Sequence, residues 1–371
     1  MQRLNKSITH AVDRPVKVMQ FGEGNFLRAF VDYIFDVTNE KTDFNGGVVI
    51  VKPIEFGTLE RFHDQECQYT LQLRGFVDGQ PKEITRQITS VVDAVAAIED
   101  YDKYVEYGTS ETLRFIVSNT TEAGIVFDET DNDPNARPPK TYPGKLTQLL
   151  YKRYQKFNGA ADKGLILLPC ELIADNGIEL KKCIMKFIEL WGLEDGFKDW
   201  VNNYCSFCPT LVDRIVPGYP REDAAKLCEE WGYEDQLIDR AEVFGLWVVN
   251  PCVLHIIHAA FDKLCRINIC LAISSRFHVP ISLSNQHLDS KKDSAYNIVI
   301  FRHFSVSLYP SFSSKLMQEL FVNHSTISPL SYSSNFFVIG HLYHLTFASN
   351  FLCSILHLSE VRNMYFRFQV L

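Results

Sequence analysis

A short buried strand that runs into a glycine turn and then a helix constrains this chain more than any other feature. Pro15 to Phe21 (PVKVMQF) has the apolar content of a buried strand, and Gly22-Glu23-Gly24 follows it directly. After the turn, Phe26, Leu27, Phe30, Val31, Ile34 and Phe35 recur at helical spacing and predict one apolar helix face. Each part has a physical use. Gly22 permits the tight turn, and Gly24, with no Cβ, lets the backbone approach a pyrophosphate. The helix N-terminus then offers free N–H groups and a positive dipole end. Leu27 stands where a third glycine would complete G-x-G-x-x-G, so the motif draws its weight from the strand and helix around it. An ordinary strand-to-helix turn is the other reading.

The same grammar repeats along the first 250 residues. Gly47 to Val51 predicts a second strand, followed by Lys52-Pro53 rather than the acid that reads an adenosine ribose, with Glu55 the nearest carboxylate. A lysine there tolerates a 2′-phosphate, so the residues leave NAD and NADP both open. Leu113 to Ser118 predicts another strand, and its polar continuation Asn119-Thr120-Thr121-Glu122 falls where a doubly wound sheet opens its ligand crevice. A helix over Leu146 to Phe157 leads to a strand over Gly164 to Leu168, then Pro169-Cys170-Glu171. Repeated strand–helix units predict an α/β fold with a mostly parallel, Rossmann-type doubly wound sheet for residues 1–250.

Composition divides the chain. Residues 1–250 hold 18 of the 19 glycines and 40 of the 45 acidic residues, whereas residues 251–371 hold 9 of the 11 histidines and a single glycine, Gly340. A domain of ordinary turns and helix ends uses more glycine than that. From Leu320 to Ser359 there is no Asp, Glu, Lys or Arg, and Phe336 to Leu358 is long enough for a membrane span, although its histidines and serines make spanning costly. We therefore expect a nucleotide-binding domain over 1–250 and a C-terminal region of atypical composition, consistent with a frameshifted or mis-spliced translation. The formal net charge of -8 argues against a nucleic-acid surface. The N-terminus has no apolar core for secretion, so a reduced cytoplasmic setting is expected for the ten cysteines. Cys205-Ser-Phe-Cys208 reads as local packing, with redox or metal chemistry as the alternative.

Four stretches occur in order: QFGEGNFLRAF from Gln20, FIVSNTTEAGI from Phe115, LPCELIADNG from Leu168 and FCPTLVDRIVPGYP from Phe207. Together they resemble the mannitol dehydrogenase family of long-chain polyol dehydrogenases, over about residues 13–250. The resemblance implies NAD as cofactor, no metal, a sugar-acid substrate and reversible oxidation of D-altronate to D-tagaturonate. It also implies roles residue by residue. Gly22, Gly24, Asn25, Phe26 and Arg28 match the family's cofactor turn, with Phe21 and Glu23 beside them. Asn119 and Thr120 match the strand end facing the nicotinamide. Leu172 occupies the place of an oxyanion-site asparagine, so that catalytic role passes to Asn176, although Asn176-Gly177 is equally a good turn dipeptide. Asp213 is expected to support the catalytic lysine, and Arg214 to bind the substrate carboxylate or be structural. A plain Asp213–Arg214 ion pair is the blander alternative.

One expected element is missing. The family's catalytic K-x4-N-x2-H does not occur in residues 214–371. Lys263…Asn268 ends in Leu271 and Lys292…Asn297 ends in Ile300, where histidine is required. Cys252, His255, His258 and Cys265 suggest a metal site, with His255 and His258 on one helix face at i, i+3, but the family resemblance implies no zinc and the region's composition is atypical. The chain as written is therefore expected to oxidise little or no sugar acid. A non-catalytic dinucleotide-binding fragment and a related mannitol- or fructuronate-type dehydrogenase are the competing readings.

Overall fold

The computed structural model describes residues 1–77, 80–121, 124–250 and the backbone of Cys270–Ile273. Six parallel strands form the central sheet: β1 (Val16–Phe21), β2 (Gly47–Lys52), β3 (Val91–Ala96), β4 (Phe115–Ser118), β5 (Ile166–Pro169) and β6 (Ser206–Phe207). They lie in the order β3-β2-β1-β4-β5-β6, so the sheet reverses direction of growth between β1 and β4. In an open sheet of this kind, ligands bind outside the carboxyl ends of the strands at that reversal.

Successive side chains of a strand point to opposite faces, and here both faces are covered. Val18, Ile50, Val117 and Leu168 enter one core; Met19, Val51, Ile116 and Leu167 enter the other. This explains why the strands read as unbroken apolar runs rather than alternating ones.

The helix after the turn, α1, runs through Asn25–Leu27, a π turn at Arg28–Asp32 and Tyr33–Lys41. Its Phe30, Val31, Ile34 and Phe35 pack in the first core with Leu71, Leu73 and Trp247. The π turn was not expected. It buries Arg28 and Asp32 along with their apolar neighbours.

Further along come α2 (Tyr101–Gly108), α3 (Tyr142–Lys156), α4 (Asn176–Leu190), α5 (Asp195–Tyr204) and α6 (Ala224–Trp231). Helix α3 begins at Tyr142 rather than Leu146, because Thr141 caps it by accepting the Gly144 N–H at 3.0 Å with Pro143 in the first turn. A second sheet pairs Tyr69–Val77 antiparallel with Gln80–Ile88 and parallel with Asp239–Glu242. A third pairs Thr210–Asp213 with Leu246–Val249, which Cys270–Ile273 joins in parallel.

Among the described residues no helix is long and apolar enough to cross a membrane. Apart from the Cys270–Ile273 backbone, the expectations for residues 251–371 lie outside the described residues. These are the half-matches at Lys263 and Lys292, the Cys252–Cys265 cluster, the apolar segment at 336–358 and the aberrant-translation reading.

Candidate functional site

The carboxyl ends of the central strands build one edge from backbone outward. Gly22 N donates to Val51 O at 3.0 Å, Asn119 N to Phe21 O at 3.1 Å and Cys170 N to Ser118 O at 2.7 Å. Each loop is thereby tied to the neighbouring strand end. The two glycines of the turn differ in why they are there. Gly22 has φ +122°, a conformation side chains rarely adopt, and a Cβ on it would stand 3.2 Å from both Asn119 O and Leu27 Cδ1. Gly24 has ordinary backbone angles at the helix start, and a Cβ there would meet nothing within 4 Å. The fold demands the first glycine; among the described residues no steric contact demands the second.

The structure brings Gly22, Gly24, Asn119 and Thr120 to this edge, and distributes the other cofactor-turn residues differently. Phe21 is buried beneath the turn against the Tyr104 and Tyr142 rings. Glu23 is half-buried within the turn, and Asn25 is exposed at the helix start. Phe26 stacks on Phe30. Arg28 turns inward: 5% exposed, it donates to Leu237 O at 2.6 Å, stands 3.6 Å from the Asp239 carboxylate and lies over the Tyr69 ring. It thereby ties α1 to the second sheet, and its other guanidinium nitrogen donates to Asn25 Oδ1 at the helix start.

One residue at the edge carries no role implied by the sequence. Glu171 is 2% exposed and accepts from Ser118 Oγ at 3.1 Å, Thr120 N at 3.0 Å and Thr120 Oγ1 at 2.9 Å. Burial holds its carboxyl above the ordinary range, against the pull of those donors. It fixes the loop that carries Asn119 and Thr120. An acid immediately after a strand's carboxyl end was the available signal.

Two residues with expected chemical roles have their polar groups taken up within the fold. Asn176 is fully buried; its Nδ2 donates to Pro169 O, Glu171 O and Thr210 O at 3.0–3.1 Å, and its Oδ1 accepts from Gly177 N and Thr210 N. No donor is left for an oxyanion, so the catalytic assignment is corrected. Nor is Asn176-Gly177 a loop turn: it opens α4. A Cβ on Gly177 would come within 2.6 Å of the Cys208–Pro209 backbone, which explains that glycine. Arg214 is likewise closed in, donating to Ala29 O at 2.6 Å, Phe244 O at 2.9 Å and Val243 O at 3.1 Å. Burial lowers it to about 10. Of its two expected roles, structural support is the one the geometry fits. Asp213 ends its strand half-buried, in register with Leu246. Leu172 is 62% exposed.

At the β2 and β3 ends a cavity of about 340 Å³ is lined by Lys52, Thr58, Glu60, His63, Glu99 and Asp100, among others. Lys52 is 2% exposed and its ammonium donates to Ile54 O, Glu55 O and Glu99 Oε1 at 2.9–3.2 Å. Among the described residues no group of three or more His, Cys, Asp or Glu is arranged to hold a metal. Cys205 and Cys208 are buried free thiols, and burial pushes Cys205 up to about 12.

The sequence model described as the Mannitol dehydrogenase Rossmann domain matches residues 16–257. The chain belongs to the mannitol dehydrogenase family. Altronate oxidoreductase of Phocaeicola vulgatus is 47% identical over 250 residues, and that of Bacillus subtilis 46% over 251. Both alignments cover 67% of this chain and 52% of the relative, so the chain spans about half the length of the curated relatives it matches. Among solved structures, D-sorbitol dehydrogenase shares the fold with a TM-score of 0.57 at 20% identity, covering 73% of this chain and 58% of that one. Pseudomonas fluorescens mannitol 2-dehydrogenase, solved with NAD and D-mannitol, gives 0.57 at 21%, covering 68% and 56%.

Proposed function

We propose that this chain binds NAD(H) across the carboxyl edge of its central sheet, as the nucleotide-binding part of an oxidoreductase interconverting D-altronate and D-tagaturonate. Gly24 carries the reading. Its missing side chain answers no steric need among the described residues, yet it stands at the helix start beside the reversal of the sheet. A pyrophosphate resting on the first-turn amides supplies the reason for a glycine there. Asn119 and Thr120, held by Glu171, flank the nicotinamide side, and the cavity at Lys52 and Glu99 takes the adenosine side. The bound cofactor supplies hydride transfer at the carbinol carbon. The sugar-acid substrate is supported by the relatives' name and 44–47% identity.

Proton handling is the part we infer to be deficient. The family's K-x4-N-x2-H does not occur in residues 214–371. General acid–base catalysis contributes about 10²–10⁴-fold. Fluorescence titration of the full chain with NADH, followed by NADH oxidation over D-tagaturonate and a panel of hexuronates and ketohexoses, tests both parts. We expect saturable NADH binding and turnover far below the usual range of roughly 1–10³ s⁻¹. Absence of binding overturns the cofactor assignment, and an ordinary rate on any panel member overturns the inferred deficiency.

A further inference from the structure

The residue at the end of β2 decides between the two nicotinamide dinucleotides in many doubly wound sheets, an acid there favouring the free ribose hydroxyl. Here that residue is Lys52, which by sign alone favours the 2′-phosphate of NADP. Its surroundings change the outcome. The Lys52 ammonium has three donors, and the structure gives it three acceptors: two loop carbonyls and Glu99 in the turn just past β3. The side chain is 2% exposed, whereas Glu99 is 53% exposed and faces the same cavity. The cavity lining further includes Glu60 and Asp100, so one lysine stands against three carboxylates, a formal balance of -2. The hydrogen bond from Lys52 also holds the Glu99 carboxyl below its usual range, keeping that charge in place.

We propose that Glu99 sets the preference for NAD(H) over NADP(H), by engaging the Lys52 ammonium and presenting its own charge to the place a 2′-phosphate would occupy. The proposal rests on the cofactor reading above and goes beyond it in naming the selecting residue. Glutamine keeps a side-chain oxygen to accept from the Lys52 ammonium, whose other two acceptors are loop carbonyls, so Glu99→Gln is expected to fold. Removing one like charge near a phosphate, and loosening the lysine, is worth about tenfold at this kind of partly exposed site.

Kd values of the full chain for NADH and NADPH are measured by fluorescence in low salt and again in about 0.5 M salt, for wild type, Glu99→Gln and Glu99→Gln/Lys52→Gln. We expect the wild type to favour NADH, and Glu99→Gln to shift the NADPH-to-NADH affinity ratio about tenfold toward NADPH. That shift should shrink in high salt and be smaller in the double variant, which keeps the loss of the Glu99 charge but has no lysine left to release. NADH binding with an unchanged ratio in Glu99→Gln overturns the assignment of Glu99 alone. A wild type that binds neither dinucleotide overturns the cofactor reading itself.

Discussion

Asn176 and Arg214 show what residue type and spacing convey and what they omit. Both belong to stretches that resemble the family, and both invite a chemical role because amide and guanidinium groups hold oxyanions well. What decides the matter is where their donors go, and those partners lie 34 residues away for Asn176–Thr210 and 185 for Arg214–Ala29. No local pattern announces such pairs. The expected consequences differ sharply from those of substrate-binding groups. Asn176→Ala strands two buried N–H donors and leaves three carbonyls short of a partner; each buried orphan costs about 1–3 kcal/mol. Chemical denaturation should therefore show a loss of several kcal/mol, or failure to accumulate. Arg214→Met should cost about 2–4 kcal/mol by the same reasoning. If either variant keeps wild-type stability and loses only substrate affinity, the structural assignment is wrong. Glu171 makes the complementary point: the sequence placed an acid at the strand end, and only its buried contacts to Ser118 and Thr120 reveal that it braces the loop.

At the scale of elements the strand, turn and helix were legible, because a 2-residue period giving way to a 3.6-residue one is written in the apolar pattern. The π turn was not. Its one-residue bulge leaves the apolar face almost unchanged, and the partners of Arg28 and Asp32 within it, Leu237 O and the Tyr69 hydroxyl, are far away in sequence. The turn itself separates fold from function within three residues. Gly22→Ala forces a positive φ on alanine and a methyl against Asn119 O, so thermal stability should fall by about 1–3 kcal/mol. Gly24→Ala places its methyl in open space at ordinary backbone angles. Its melting temperature should stay within about a degree of wild type, since surface changes stay within roughly 0.5 kcal/mol, while NADH affinity falls at least about tenfold from the blocked approach of the pyrophosphate. Undiminished NADH affinity in Gly24→Ala sinks the argument that a ligand explains this glycine.

Across the described residues, α1 is where the central, second and third sheets meet. Arg28 reaches Leu237 and Asp239 beside the second sheet, Tyr69 of that sheet donates to Asp32 Oδ2 at 2.8 Å, and Arg214, just past a strand of the third, holds Ala29 O. The doubly wound order followed from repeated strand–helix units. This polar joint did not, because buried charges look like surface charges in a sequence. It predicts an unusual dependence of stability on pH. Burial pushes Asp32 up to about 8 and Asp239 up to about 7. Below pH about 4 both folded and unfolded chains keep these protons, and there is no cost. As pH rises, the unfolded chain releases them while the folded chain retains them, so stability falls. For Asp239 the fall ends near pH 7, and for Asp32 it continues to pH 8. Of these two groups only Asp32 contributes substantially between pH 7 and 8, with a slope of at most about 1.4 kcal/mol per pH unit. Asp32→Asn keeps an oxygen for the Tyr69 hydroxyl and has no proton to lose. Urea unfolding from pH 5 to 9 should show the variant gaining on wild type as pH rises, by a margin on the order of a few kcal/mol at pH 8, with the 7-to-8 slope reduced. Parallel curves for the two proteins would mean that Asp32 is ionised in the folded chain and that the joint is held by charge pairing with Arg28 rather than by a buried proton.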